Sequence, residues 1–202
     1  MKLIVDILMF ILMLLEFSRG YMKPIFHEIL GISLIVLLIM HLILNKNYIK
    51  NIFKGKYNFK RITILIINSL FMTTLLLSII FGILSSQDLL TFLNVGSLTL
   101  IKLHKIFAYI SLIFLGLHLG INLNKIISFK SKTLSILIII YGVYSFIKLD
   151  IFNHLIGKYG FSMLTDSIIL NTIRYLSVIL MITIITNYIY QFIKKGRLNV
   201  SK

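Results

Sequence analysis

Apolar residues along this chain come in long runs separated by short polar segments. The runs cover Met1–Phe17, Pro24–Leu44, Ile62–Leu84, Ile101–Leu123, Thr133–Ile147 and Ser167–Ile193. A helix that crosses a hydrocarbon layer needs about 20 such residues. The pattern therefore predicts an all-α, polytopic transmembrane bundle of about six helices. Pro24 opens the second helix, where a missing N–H costs nothing, and Ser18–Lys23 reads as the turn before it. The first run is followed by Glu-Phe-Ser-Arg without a small-x-small cleavage site, so it reads as a retained helix. Asp6, one or two turns inside its start, reads as an interfacial cap.

Composition sharpens the class. The chain has 202 residues, 58% of them hydrophobic and 13% charged, where a soluble domain carries about 25% charge. Little length is left for a soluble domain. A net charge of +15 raises the question of nucleic acid, but the bases sit in short segments between apolar runs, the placement of orientation signals. The reading is membrane lipid and no nucleic acid. The segment Asn45–Arg61 carries six bases and no acid, and further basic groups lie at Lys125–Lys132 and in the C-terminal tail. With these segments and Lys2 inside, 14 of the 21 bases are inside, five of the six acids fall at outside ends, and both termini are cytoplasmic. The absence of cysteine excludes disulfides, thiolate metal sites, iron–sulfur clusters and covalently attached c-type haem.

Within this frame four of the five histidines form a repeat. A shift of 77 residues lays His27 on His104, Gly31 on Ala108, His41 on His118 and Asn45 on Asn122. Fourteen residues of α-helix rise about 21 Å and close to within about 40° of whole turns. Each helix then carries two imidazoles on one face, near opposite ends of a membrane-sized span. The charge pattern makes the two helices parallel, so His27 and His104 share the outer level and His41 and His118 the inner one. That arrangement suits two stacked haems, each iron held by two neutral imidazoles. Single buried histidines are commonly packing residues; four at two matched depths are expected to be ligands.

Other residues are candidates around this clamp. Gly31 and Ala108 stand one turn from the outer histidines, where a small side chain admits a flat macrocycle, and Gly82 lies near the outer end of the third span. Gly116 and Gly120 flank His118, with ordinary helix packing as the competing role. Arg174 falls about two turns inside the last span and needs an anionic partner there. Lys23, Lys102 and Lys105 at the outer side and Lys46 at the inner side are positioned either for haem propionates or for snorkelling. Asn45 and Asn122 read as helix-end caps. His154, in a predicted outer loop, has no counterpart and stays out of the ligand set.

The runs HEILGISLIVLLIMHLILNKNY and LHKIFAYISLIFLGLHLGIN, with the basic loop between them, resemble the domain-of-unknown-function 4405 family. That family is grouped with two-haem b-type membrane cytochromes such as the formate dehydrogenase and nickel-iron hydrogenase membrane subunits and ferric-reductase-like domains. Ile29 and Phe81 depart from the residues common in those relatives. The resemblance covers residues 1–124, expected to be a four-helix two-haem core, with residues 125–202 adding two transmembrane helices and a basic tail. It implies His27, His41, His104 and His118 as axial ligands of two non-covalent haem b groups. It also implies electron transfer across a prokaryotic cytoplasmic membrane, with a quinone or a flavin-carrying extracytoplasmic protein as partner. Two other readings stay open at this point: a His-lined transporter or metal-ion permease without haem, and a structural membrane subunit without cofactor.

Overall fold

Polar punctuation sets the helix ends. The computed structural model describes residues 1–18, 20, 22–122, 131–158 and 167–200, with side chains as far as residue 193. Every regular element among them is helical: α1 Lys2–Phe17, α2 Pro24–Leu44, α3 Lys46–Lys50, α4 Phe59–Ile83, a 3-10 turn Thr91–Leu93, α5 Leu98–Asn122, α6 Lys132–Lys148, α7 Ile151–Leu155 and α8 Ile168–Val200. Expectations placed on Lys125, Lys130, Asp166 and Lys202, on the side chains of Lys194, Lys195 and Arg197, and on the boundary between residues 124 and 125 lie outside the described residues.

Pro24 occupies the first turn of α2 as its fixed φ favours. The Asn58 side chain caps α4 by accepting from Arg61 N–H at 2.9 Å, and Ser131 caps α6 through Leu134 N–H at 3.3 Å. At the other end of α2 and of α5, the amides of Asn45 and Asn122 donate to the carbonyls of His41 and His118, both at 2.9 Å. These side-chain bonds add a second donor to carbonyls of the last turn; the His41 oxygen also accepts from Asn45 N–H at 3.0 Å.

Among the described residues four helices are long and apolar enough to cross a membrane: α2, α4, α5 and residues Ile168–Ile193 of α8. The chain is a multi-pass helical membrane protein, and the distribution of side chains agrees. Ile25, Ile29, Ile32, Val36, Ile39 and Ile43 of α2 all point outward, whereas Ser78, Ser111, Ser145, Ser177 and Thr183 are buried. A water-soluble bundle would reverse that order. The other two expected spans form α1 and α6, with 16 and 17 residues. At 1.5 Å per residue these rise only about 24–26 Å, short of an about 30 Å hydrocarbon core.

α1 pairs with α2 and α4 with α5, while α8 packs against both α5 and α6. The α1–α2 hairpin joins the rest through α1 and α8, where Ser18 and Thr172 hydroxyls meet at 2.8 Å and the Phe17 ring lies 5.2 Å from Tyr175. Gly116 and Gly120 face α8. A Cβ on Gly120 would stand 2.6 Å from Thr186 Cβ and 2.8 Å from the Thr183 carbonyl oxygen, so helix packing accounts for these two glycines. Leu34, Leu38, Leu75, Leu112 and Leu115 are buried together midway between the two histidine levels. The main backbone neighbours of α2 are α1 and α3, and a cavity opens between α2 and α5 above those leucines.

Candidate functional site

At the level that the charge pattern assigns to the outer side, His27 of α2 and His104 of α5 lie side by side, ring centres 5.9 Å apart and planes at 75°. Each ring is held from behind by the other helix of its own hairpin. His27 Nδ1 lies 2.5 Å from Glu16 Oε2 of α1, a close approach off the ideal N–H direction. His104 Nδ1 lies 2.8 Å from the Ser78 carbonyl oxygen of α4. Gly82, one turn further along α4, forms the seat of the His104 ring: a Cβ there would stand 3.0 Å from both Nδ1 and Cε1. Its small size serves the imidazole directly.

At the inner level the same construction recurs. His41 Nδ1 is 2.7 Å from Asp6 Oδ1 of α1, which places Asp6 on the ligand candidate and not in an end-capping role. His118 Nδ1 is 2.8 Å from Asn68 Oδ1 of α4, and Phe71 leans on the ring at 5.4 Å. The amide of Asn68 is oriented by its own donor bond, Nδ2 to Tyr48 Oη at 3.1 Å, which turns the oxygen towards the histidine. No ring contact joins His41 to His118 among the described residues; each is fixed within its hairpin.

The acceptors repeat as the histidines do. Asp6 and Glu16 are ten residues apart on α1, and so are Asn68 and Ser78 on α4; the histidines they hold are fourteen apart on α2 and on α5. The two hairpins therefore share one antiparallel register. A proton shared with an acceptor at Nδ1 selects the tautomer whose lone pair is on Nε2, the arrangement usual behind a metal-bound imidazole.

No family model, curated protein or solved structure matches this chain.

The outer cavity holds about 840 Å³ and is lined by His27, His104, Glu16, Gly31, Gly82, Ala108 and Arg174. The two histidines, the three small residues and Arg174 thus share one cavity wall, with Arg174 buried at 6% exposure. Gly31 has room to spare, since an added Cβ would meet only Glu16 Oε1 at 3.8 Å. Lys105 lines the cavity too, while Lys23 and Lys46 are exposed at the ends of α2.

Three features escaped the sequence. His154 belongs to the short α7 and lies on the cavity wall, stacked on Tyr109 at 4.4 Å and 6°. Burial pushes it below the usual histidine range, with Asp150 opposing and Lys105 adding to the shift. Asn68 carries no pattern of its own and is found only through its contact. Glu28, beside His27, folds over the loop after α4: its carboxylate accepts from Ser86 Oγ at 2.7 Å and from the N–H groups of Gln87, Asp88 and Leu89 at 2.7, 3.2 and 2.7 Å. That clamp roofs the cavity. Among the described residues no three of His, Cys, Asp and Glu converge on a point where they could hold a bare metal ion.

Proposed function

We propose that this chain is an integral membrane b-type cytochrome that holds two haems and carries electrons across the membrane, from a quinol or another redox partner to an acceptor on the opposite face. The observation that carries the reading is the shared register of the two hairpins, in which all four imidazoles have an oxygen within 2.5–2.8 Å of Nδ1, so that Nε2 is the nitrogen that would ligate. His27 and His104 stand 5.9 Å apart, ring centre to ring centre, a separation at which both imidazoles could reach one haem iron. A cavity of several hundred Å³ is the size that takes a large organic cofactor, and the outer one holds about 840 Å³.

His27 and His104 would hold the outer haem and His41 and His118 the inner one. Bound there, haem supplies one-electron chemistry, its iron passing between ferric and ferrous. The protein's part is positional. Glu16, Asp6, Asn68 and the Ser78 carbonyl fix tautomer and ring direction, and the Gly82 seat keeps His104 from swinging away. Arg174 and Lys105 place positive charge on the wall of the outer cavity, suited to carboxylate groups of a cofactor. The mid-level leucines keep water out between the levels, which are about 21 Å apart along the helix. The reading also takes α1 and α6 as further spans, giving six helices with both termini cytoplasmic in a prokaryotic cytoplasmic membrane. It agrees with the resemblance to the domain-of-unknown-function 4405 family.

The test is the visible spectrum and the haem-to-protein ratio of the protein purified in detergent from haem-replete cells. Two haems per chain are expected, with H27A or H104A removing one spectral component and H41A or H118A the other. A colourless preparation overturns the proposal, and metal-dependent uptake without a Soret band favours a transporter instead. Loss of the same component in H27A and H41A overturns the pairing.

A further inference from the structure

The two hairpins share a register but not a chemistry. On α1 both oxygens belong to carboxylates: Asp6 is hydrogen-bonded to His41 Nδ1 at 2.7 Å, and Glu16 makes a 2.5 Å charge contact with His27 Nδ1. On α4 both are neutral, the Ser78 backbone carbonyl behind His104 and the Asn68 amide behind His118. Each level thus has one imidazole backed by a carboxylate and one backed by a neutral oxygen.

From this asymmetry we infer that α1 is a tuning helix: Glu16 and Asp6 are positioning residues that separately lower the reduction potentials of the outer and inner haems. The inference rests on the two-haem reading. A hydrogen bond to a charged acceptor is roughly twice as strong as one to a neutral acceptor, and it raises the basicity of the imidazole that donates it. A more basic ligand and a nearby negative charge both favour the oxidised iron, which carries one more positive charge than the reduced one. The two carboxylates differ in setting. The Glu16 side chain is 15% exposed, and its Oε1 is buried without a hydrogen-bond partner among the described residues. Asp6 is 48% exposed at the end of the bundle. Screening weakens an exposed charge more than a buried one, so Glu16 acts on its level more strongly than Asp6 does.

The experiment is a spectroelectrochemical titration of the full-length protein in detergent, with haem content measured on each sample. E16Q keeps the shape and hydrogen-bonding capacity of the side chain and removes its charge; it raises the midpoint of the outer component and leaves the inner one in place. D6N raises the inner component by a smaller amount. N68D adds a carboxylate where the second hairpin has none and lowers the inner component. Haem-replete E16Q and D6N proteins with wild-type midpoints overturn the inference, as does a variant that shifts both components equally. If E16Q loses the outer haem, N68D decides the matter, an unmoved inner midpoint counting against the inference. A wild-type protein without haem instead refutes the two-haem reading itself, so the two failures are distinguishable.

Discussion

Replacing Gly82 by alanine tests whether the His104 ring is seated on helix α4. The added Cβ would stand 3.0 Å from two ring atoms, against the 3.5–4.0 Å at which carbon atoms rest without repulsion. The ring must retreat by about half an ångström. It is held on its Nδ1 side by the Ser78 carbonyl at 2.8 Å, so retreat weakens that bond and strains the side-chain torsions. Losing a net hydrogen-bond contribution costs about 0.5–1.5 kcal/mol, and an off-rotamer torsion costs about as much, for a total of about 1–3 kcal/mol. Alanine in place of glycine returns about 1 kcal/mol through helix propensity. The control is Gly31→Ala, where the nearest atom is 3.8 Å away and the matching position of the other hairpin already has Ala108. G31A should gain about 1 kcal/mol, so the two variants should differ by roughly 1–3 kcal/mol. Denaturant unfolding of both in detergent, without added haem, measures the difference. A G82A protein as stable as G31A refutes the ring seat.

Alanine at Gly120 or Gly142 should be worse tolerated, because the added Cβ meets the backbone of α8: Thr183 O at 2.8 Å for one and Ser177 O at 2.9 Å for the other. Backbone cannot rotate aside, so α8 must shift, and a loss of about 2–3 kcal/mol or more is expected in the same unfolding assay. Glu28→Ala removes the acceptor of three loop amides and one hydroxyl; hydrogen exchange should become faster at Gln87, Asp88 and Leu89 while α4 and α5 stay protected. His154 should make stability fall with acid. Its folded-state pKa lies below its ordinary value of 6.5, so its contribution is fully present above about 6.5 and is lost as pH falls through the folded value. H154Q should flatten that part of a melting-temperature profile between pH 8 and 5, and an unchanged profile would show that His154 is not its source.

The class of the molecule was legible in the runs of apolar residues because the membrane imposes length and hydropathy directly on each helix. The same physics places the two shorter runs: Met1–Phe17 and Thr133–Ile147 form helices over nearly those residues, α1 with 16 and α6 with 17, at the short end of what a hydrocarbon layer asks for. The histidine repeat was legible because both members of each pair are one residue type at one spacing. Gly116 and Gly120 were ambiguous until α8 was seen to cover them.

By itself the sequence determined the apolar helices and the fourteen-residue spacing of the histidines, since both follow from local periodicity and rise per residue. Only the tertiary structure decided what stands behind each imidazole. Aspartate, glutamate, asparagine and a backbone carbonyl share no residue type, so their common ten-residue spacing carries no signal along the chain. They become equivalent when each hairpin closes in the same antiparallel register, because a ring nitrogen responds to an oxygen at hydrogen-bond distance and not to the identity of the residue that bears it.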